Sequence, residues 1–161
     1  MVEYAVIGRR LPKVDGIAQV TGEARYTGDI VLPGMLFGKV LGSPYPHALI
    51  RNIDTAKAEK LFGVRAVMTG KDIKRIKVGI VLNHPETIDQ YPMAIDRVRY
   101  IGEPVAAVAA IDEEIAEEAL DLIQVEYEGL PAVFDPEEAM KPGAPIIHEY
   151  AKRNIGFQIP M

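Results

Sequence analysis

Between Pro104 and Gln124 the chain runs from an uncharged stretch of small residues, Val105-Ala106-Ala107-Val108-Ala109-Ala110-Ile111, straight into a segment whose apolar positions recur at helical spacing. Ile115, Ala119, Leu122 and Ile123 fall on one side of a helix with Ala116 and Leu120 beside them, while Glu113, Glu117 and Asp121 recur every four residues opposite. Asp112 stands where a carboxylate accepts a bond from an otherwise unpaired amide of the first turn. The spacing therefore predicts a helix over 113–124 with one apolar face, which must be buried against a second layer. The alanine-rich strand before it, over 104–111, suggests that something packs close.

The rest of the chain supplies the strands of that layer. Leu32-Pro33-Gly34 is a turn signal, because proline presets φ and glycine accepts a positive one. The mostly apolar run 35–41 follows as a strand, with Gly38 allowing a bulge or the close approach of another backbone. Weak alternation over 47–53 predicts a second strand. Asp54-Thr55 supplies cap chemistry for a short helix over about 55–62, closed by Gly63. Residues 64–68, 78–82, 97–101, 125–128 and 131–134 are further strand candidates. Asp135-Pro136-Glu137-Glu138 reads as a cap, an N1 proline and an acidic first turn. Residues 83–94, with Pro85 and Pro92 and no clear period, read as a long exposed loop. Residues 1–27, with short β-branched pieces at 5–7 and 17–20, read as an extended arm, and 141–161 as an irregular tail.

Strands and helices alternate without the regular rhythm of a doubly wound sheet, so the class is α+β: a mixed sheet with two main helices, in a single domain spanning 1–161. At 161 residues the chain is long enough to bury a core without staples. A net charge of -5 argues against a phosphate-binding surface for nucleic acid. The absence of cysteine excludes disulfides, thiolate metal sites and cysteine-held iron–sulfur clusters within this segment. No apolar run approaches the roughly 20 residues of a membrane helix, and Met1-Val2-Glu3-Tyr4 is not the start of a signal peptide, so the expectation is a cytoplasmic chain off the membrane.

Few residues invite a chemical reading. Gly34 to Lys39 has three residues between its glycines where a phosphate loop has four, and Val40 stands where a magnesium-holding Ser or Thr belongs. His47, His84 and His148 are far apart in sequence and share no ligand spacing, with His84 the one most worth testing for its place on the loop. Glu113, Glu114, Glu117 and Glu118 read as a solvated helix face favoured by the helix dipole rather than as paired catalytic carboxylates. Ser43 lacks the glycine frame of a nucleophile elbow. By residues alone, no catalytic, cofactor-binding or metal-binding residue can be named.

Three blocks in order do carry a resemblance. The first is Gly22-Glu23-Ala24-Arg25-Tyr26-Thr27-Gly28-Asp29-Ile30 with Leu32-Pro33-Gly34-Met35-Leu36, after Gly8-Arg9-Arg10-Leu11-Pro12. The second is Ser43-Pro44-Tyr45-Pro46-His47-Ala48-Leu49-Ile50 with Ile53-Asp54, then the run from Gly63 to Ile73. The third runs from Val98 to Val108, through Gly102-Glu103-Pro104, and on to Val125-Glu126-Tyr127-Glu128-Gly129-Leu130-Pro131 and Asp135-Pro136. Together they resemble the N-terminal α/β-hammerhead domain of the molybdenum hydroxylase large subunit, the xanthine dehydrogenase and aldehyde oxidase family. The resemblance implies a complete subunit that binds a molybdenum-pterin cofactor and oxidises an aldehyde or N-heterocycle, or in some relatives acts on carbon monoxide or an aryl-CoA. It also implies electron transfer through 2Fe-2S clusters, usually to FAD, on iron–sulfur and flavin subunits or domains. The family's pterin motifs and active-site glutamate lie beyond the matched blocks, so the resemblance implies a fragment or separately encoded domain that works with downstream molybdenum-binding domains and is inactive by itself. Two other readings are a stand-alone hammerhead module binding a ligand or protein, and a small biotinyl-like carrier; the carrier is disfavoured because no lysine stands in a Met-Lys-Met type turn.

Overall fold

The computed structural model describes residues 6–79 and 88–156. The chain divides into two compact units, Met1–Met35 and Leu36–Met161. The first holds a helix, α1 (Gly16–Thr21), and a 3-10 turn at Thr27–Asp29. The arm expected to be extended over 1–27 is therefore interrupted, and residues 17–20, read from their β-branched side chains as a strand piece, are helical. Local bonds decide this. The Gln19 amide donates to the Asp15 carbonyl at 3.1 Å and its side chain to the Asp15 carboxylate at 2.7 Å, and Gly22 closes the turn at φ +77.

The second unit runs β1 (Phe37–Gly42), β2 (Ala48–Asp54), α2 (Ala56–Lys60), β3 (Val64–Thr69), β4 (Arg97–Val98), β5 (Pro104–Ala110), α3 (Glu113–Asp121), β6 (Gln124–Gly129) and α4 (Pro136–Ala139). The class is α+β, as the sequence implies. In place of one mixed sheet there are two three-stranded sheets, ordered β1-β5-β3 and β4-β2-β6, and every pairing is antiparallel. Strand β5 is central to the first sheet because its alanines accept neighbours on both sides: Lys39 and Val67 both register with Val108, and Leu41 and Thr69 both register with Ala106.

Helix α3 begins as expected, with the Asp112 carboxylate accepting from the Glu114 amide at 2.8 Å. It ends at Asp121, three residues short of the expected Gln124, because Gln124 already pairs with Asp54 in the second sheet. The face of α3 carrying Ala119, with Ile123 just beyond, packs on Ala106 and Val108 of β5 and on Ala58 of α2, and Leu41, Val64 and Val67 close this core. A second cluster, Ala48, Ala94, Val98 and Val105, lies where the two sheets meet, and Leu41 and Val125 border both clusters. Val98 and Val105 are the largest side chains sealed there, each contributing about 1.5–3 kcal/mol by leaving water.

Several expected boundaries move. Helix α2 ends at Lys60 rather than near 62, although Gly63 does take a positive φ of +95. Only Arg97 and Val98 of the 97–101 strand are paired, because the chain turns at Ile101-Gly102 to enter β5. Residues 131–134 form no strand, and Phe134 is 80% exposed. Of the strand expected over 78–82, Val78 bridges Gln90, and 80–82 lie outside the described residues, as do 83–87 with His84. The end of the loop expected to be exposed over 83–94 is buried at Met93 and Ala94, where the Ala94 amide donates to the Pro104 carbonyl at 2.7 Å.

Candidate functional site

Several of the described residues that the sequence singles out are engaged in structural contacts. Lys39, at the end of the loop-like glycine segment, reaches across to α3 and holds Glu113 at 2.6 Å and Glu117 at 2.7 Å. The hydrogen bonds it donates to Glu113 and then to Glu117 raise the Lys39 ammonium above its ordinary value. Two of the four α3 glutamates thereby share one ammonium while staying largely exposed, a pairing across 74 and 78 residues that no local pattern reveals. Ser43 is buried, and its hydroxyl donates to the Tyr45 carbonyl at 3.1 Å and accepts from the Tyr45 amide at 3.0 Å. That is a backbone turn motif, and the Tyr127 side chain also bonds to Ser43.

His47 is buried at the start of β2 with Nδ1 2.7 Å from the Pro131 carbonyl. A carbonyl only accepts, so Nδ1 carries the proton. Nε2 is buried without a hydrogen-bond partner, the only such side-chain atom among the described residues. His148 is instead part of a polar cleft of about 270 Å³ lined by Lys77, Asp89, Tyr91, Asp96, Arg99, Glu149 and Tyr150.

Four segments build this cleft. The Val78–Gln90 bridge, closed by bonds of 2.7 and 3.3 Å, sets Lys77 opposite Tyr91 and brings Asp89 to the same cleft. Strand β4 and the turn after it bring Arg99, and the tail brings 148–150. The Tyr150 hydroxyl donates to Asp89 at 2.6 Å, and His148 Nδ1 lies 3.6 Å from the same carboxylate. Burial, with the bond to Asp89, pushes the Tyr150 hydroxyl up to about 12. Burial also lowers His148, against the opposing pull of Asp89, so the ring is neutral near pH 7. The Lys77 ammonium stands 5.8 Å from the Tyr150 ring centre and 6.0 Å from that of Tyr91. Arg97 pairs with Glu149 at 3.4 Å, and Arg99 Nε donates to the Ile147 carbonyl at 3.2 Å.

Glu103 was not singled out by sequence reasoning, though its place between Gly102 and Pro104 marks a turn. Burial raises its carboxyl, which nonetheless accepts from the Arg99 amide at 2.5 Å, while its carbonyl accepts from the Ser43 amide at 2.9 Å. It pins the β4–β5 turn to the end of β1. There the Cβ of any larger residue at Gly42 would stand 3.0 Å from Gly102 Cα, so the two glycines permit the crossing.

This arrangement ties the tail to the sheet. Among the described residues no group of three or more His, Asp or Glu is placed to hold a metal ion. Three carboxylates, Asp89, Asp96 and Glu149, line the same cleft as Lys77 and Arg99, so it does not fit the phosphate of a molybdenum-pterin. No described helix is long and apolar enough to cross a membrane.

Known proteins share this fold. Residues 21–131 match the family model described as aldehyde oxidase and xanthine dehydrogenase, a/b hammerhead domain. The chain is 52% identical over 136 residues to a probable xanthine dehydrogenase subunit of Bacillus subtilis, covering 84% of this chain and 18% of that protein. It is 38% identical over 146 residues to the carbon monoxide dehydrogenase large chain of Afipia carboxidovorans, covering 91% of this chain and 18% of that one. Among solved structures, the aldehyde oxidoreductase from Desulfovibrio desulfuricans superposes with a TM-score of 0.82 at 29% identity, over 89% of this chain and 17% of that one. The chain thus spans under a fifth of the length of these relatives. Their shared segment, matched in order from the 3-10 turn through β6, places this chain in the aldehyde oxidase and xanthine dehydrogenase family as its α/β-hammerhead domain.

Proposed function

We propose that this chain is the structural, non-catalytic hammerhead module of a molybdenum-pterin hydroxylase or dehydrogenase large subunit acting on an aldehyde, an N-heterocycle or an aryl-CoA. Its partners are the downstream molybdenum-binding domains of the same subunit, and through them iron–sulfur and flavin subunits or domains in the cytoplasm. No residue of the chain is assigned a catalytic, cofactor-binding or metal-binding role. The molybdenum-pterin, 2Fe-2S and FAD groups belong to the rest of the enzyme.

The observation that carries this reading is the tethering of the tail across the polar cleft. Asp89 is engaged by Tyr150 and faces His148, and Arg99 is engaged by the Ile147 carbonyl, so the groups that could perform acid–base work hold the tail in place instead. The purified chain tests the reading. It is expected to retain no pterin when incubated with molybdenum cofactor and to reduce no dye with xanthine, an aldehyde or nicotinate as donor. Turnover of any of these without added subunits would overturn it.

A further inference from the structure

The two sheets treat their outer faces differently. In β4-β2-β6 the side away from the core carries Asn52 opposite Glu126, Asp54 opposite Gln124, and Arg51 paired with Glu128. That is the polar outer face of a sheet meant to be wet. In β1-β5-β3 the rows turned away from α3 read Val40–Ala107–Met68 and Gly38–Ala109–Ala66. Neither row holds a charged or polar side chain, the exposed Arg65 lying in the bulge at the edge beside Ala66, while Val40 is 57% and Met68 43% exposed. The helices α2 and α3 both pack on the opposite face, through Val108, Ala106, Val67 and Leu41.

Gly38 adds an independent observation. Its φ is not in the left-handed region, and a Cβ there would meet nothing nearer than the Val108 carbonyl at 4.0 Å. Neither backbone conformation nor crowding within this chain requires a glycine, which weakens a strand interior. Ala66 and Ala109 beside it are likewise poor strand formers. A row of absent side chains on an open sheet has a physical use where another backbone comes close, with Val40 and Met68 as the larger walls of a shallow trough.

We infer that this face is the surface against which the remainder of the large subunit packs, through a strand or helix presenting large apolar side chains to the Gly38–Ala109–Ala66 row. The inference rests on the structural-module reading above. The occupant follows from length. The matched segment is 18% of the Bacillus subtilis relative and 17% of the Desulfovibrio desulfuricans structure, so most of such a polypeptide lies outside it. The contrast between the sheets selects this face, since a solvated sheet in the same molecule is visibly polar.

The chain lacks cysteine, so a single introduced thiol reports one position without background from the chain itself. Val40→Cys and Met68→Cys probe the trough, and Glu126→Cys on the polar sheet is the control. Each is labelled with a maleimide in the isolated chain and in the Bacillus subtilis relative carrying this chain in place of its matched segment, with modified peptides counted by mass spectrometry. In the graft, the thiols at positions 40 and 68 are expected to react at least about tenfold more slowly than in the isolated chain, while the thiol at position 126 is unchanged. Equal rates in a folded graft would overturn the docking inference and leave the module reading standing. A graft that does not fold, beside a native relative that does, would overturn both. Protection already present in the isolated chain would also overturn the assignment: if it grows with concentration alongside a dimer on size exclusion the occupant is a second copy, and if it persists in the monomer it is this chain's own polypeptide.

Discussion

The Tyr150 hydroxyl donates to the Asp89 carboxylate at 2.6 Å, joining positions 61 residues apart and fastening the tail beside the Val78–Gln90 bridge. Burial first, and then this bond, hold a proton that water would otherwise take at ordinary tyrosine values. Of the seven tyrosines, Tyr150 is expected to ionise at about 12. Because its folded value lies above the ordinary 10.0, the associated stability is intact below pH 10 and is lost as pH rises toward 12. Absorbance at the tyrosinate band should lose a late step in Tyr150→Phe and show that step moved down in Asp89→Asn, while the steps of Tyr100 and Tyr127, which burial also raises, remain. An unchanged titration in both variants would refute the bond.

His148 behaves in the opposite sense. Its folded value is lowered, chiefly by burial, so the fold favours the neutral ring and loses that contribution as pH falls below the ordinary 6.5. Asp89 opposes the shift, so Asp89→Asn should lower His148 further rather than restore it. An imidazole NMR titration of the two proteins distinguishes these directions.

Gly70 and Gly38 make a matched pair of alanine substitutions. A Cβ at Gly70 would collide with the Ala94 carbonyl and stand 2.8 Å from Ile95 Cα, so Gly70→Ala should cost about 1–3 kcal/mol or more through backbone displacement. At Gly38 the space is open and φ is not left-handed, so Gly38→Ala in the isolated chain should be neutral or stabilise by up to about 1 kcal/mol. Urea unfolding of both variants measures the difference. Similar losses at the two sites would contradict the packing described.

Asp112→Ala should cost about 1 kcal/mol, since it strips the cap from the Glu114 amide while leaving the α3 core face untouched. Thermal or urea unfolding with Asp112→Asn as the conservative control checks it, and Asn should recover most of the loss.

The features legible in the sequence are those decided within one turn of chain. Asp112, the apolar face of α3, the Asp135-Pro136 start of α4 and the turn glycine Gly63 all act on neighbours within a few residues, and each stands where local chemistry puts it. What escaped is decided by pairing over long separations. The central position of β5, the division into two sheets, the Lys39 bridge to α3 and the Asp89–Tyr150 bond depend on which distant segments meet, and side-chain periodicity does not encode that. Helix α1 shows the converse: the β-branched Ile17 and Val20 prefer a sheet, but the bonds of Gln19 to Asp15 hold the segment in a helical turn. For the site, the residues alone led to no catalytic group. The resemblance placed the chain in its family, because its three blocks are turn, cap and strand signatures that survive where chemistry is absent.

The measurement that bears most directly on the structural-module account is the molybdenum content and xanthine turnover of the Bacillus subtilis relative in three forms: intact, with its matched 136 residues deleted, and with this chain grafted in their place. The account predicts that deletion abolishes cofactor loading and turnover and that the graft restores both. A deletion form that loads molybdenum and turns over as well as the intact protein would contradict it.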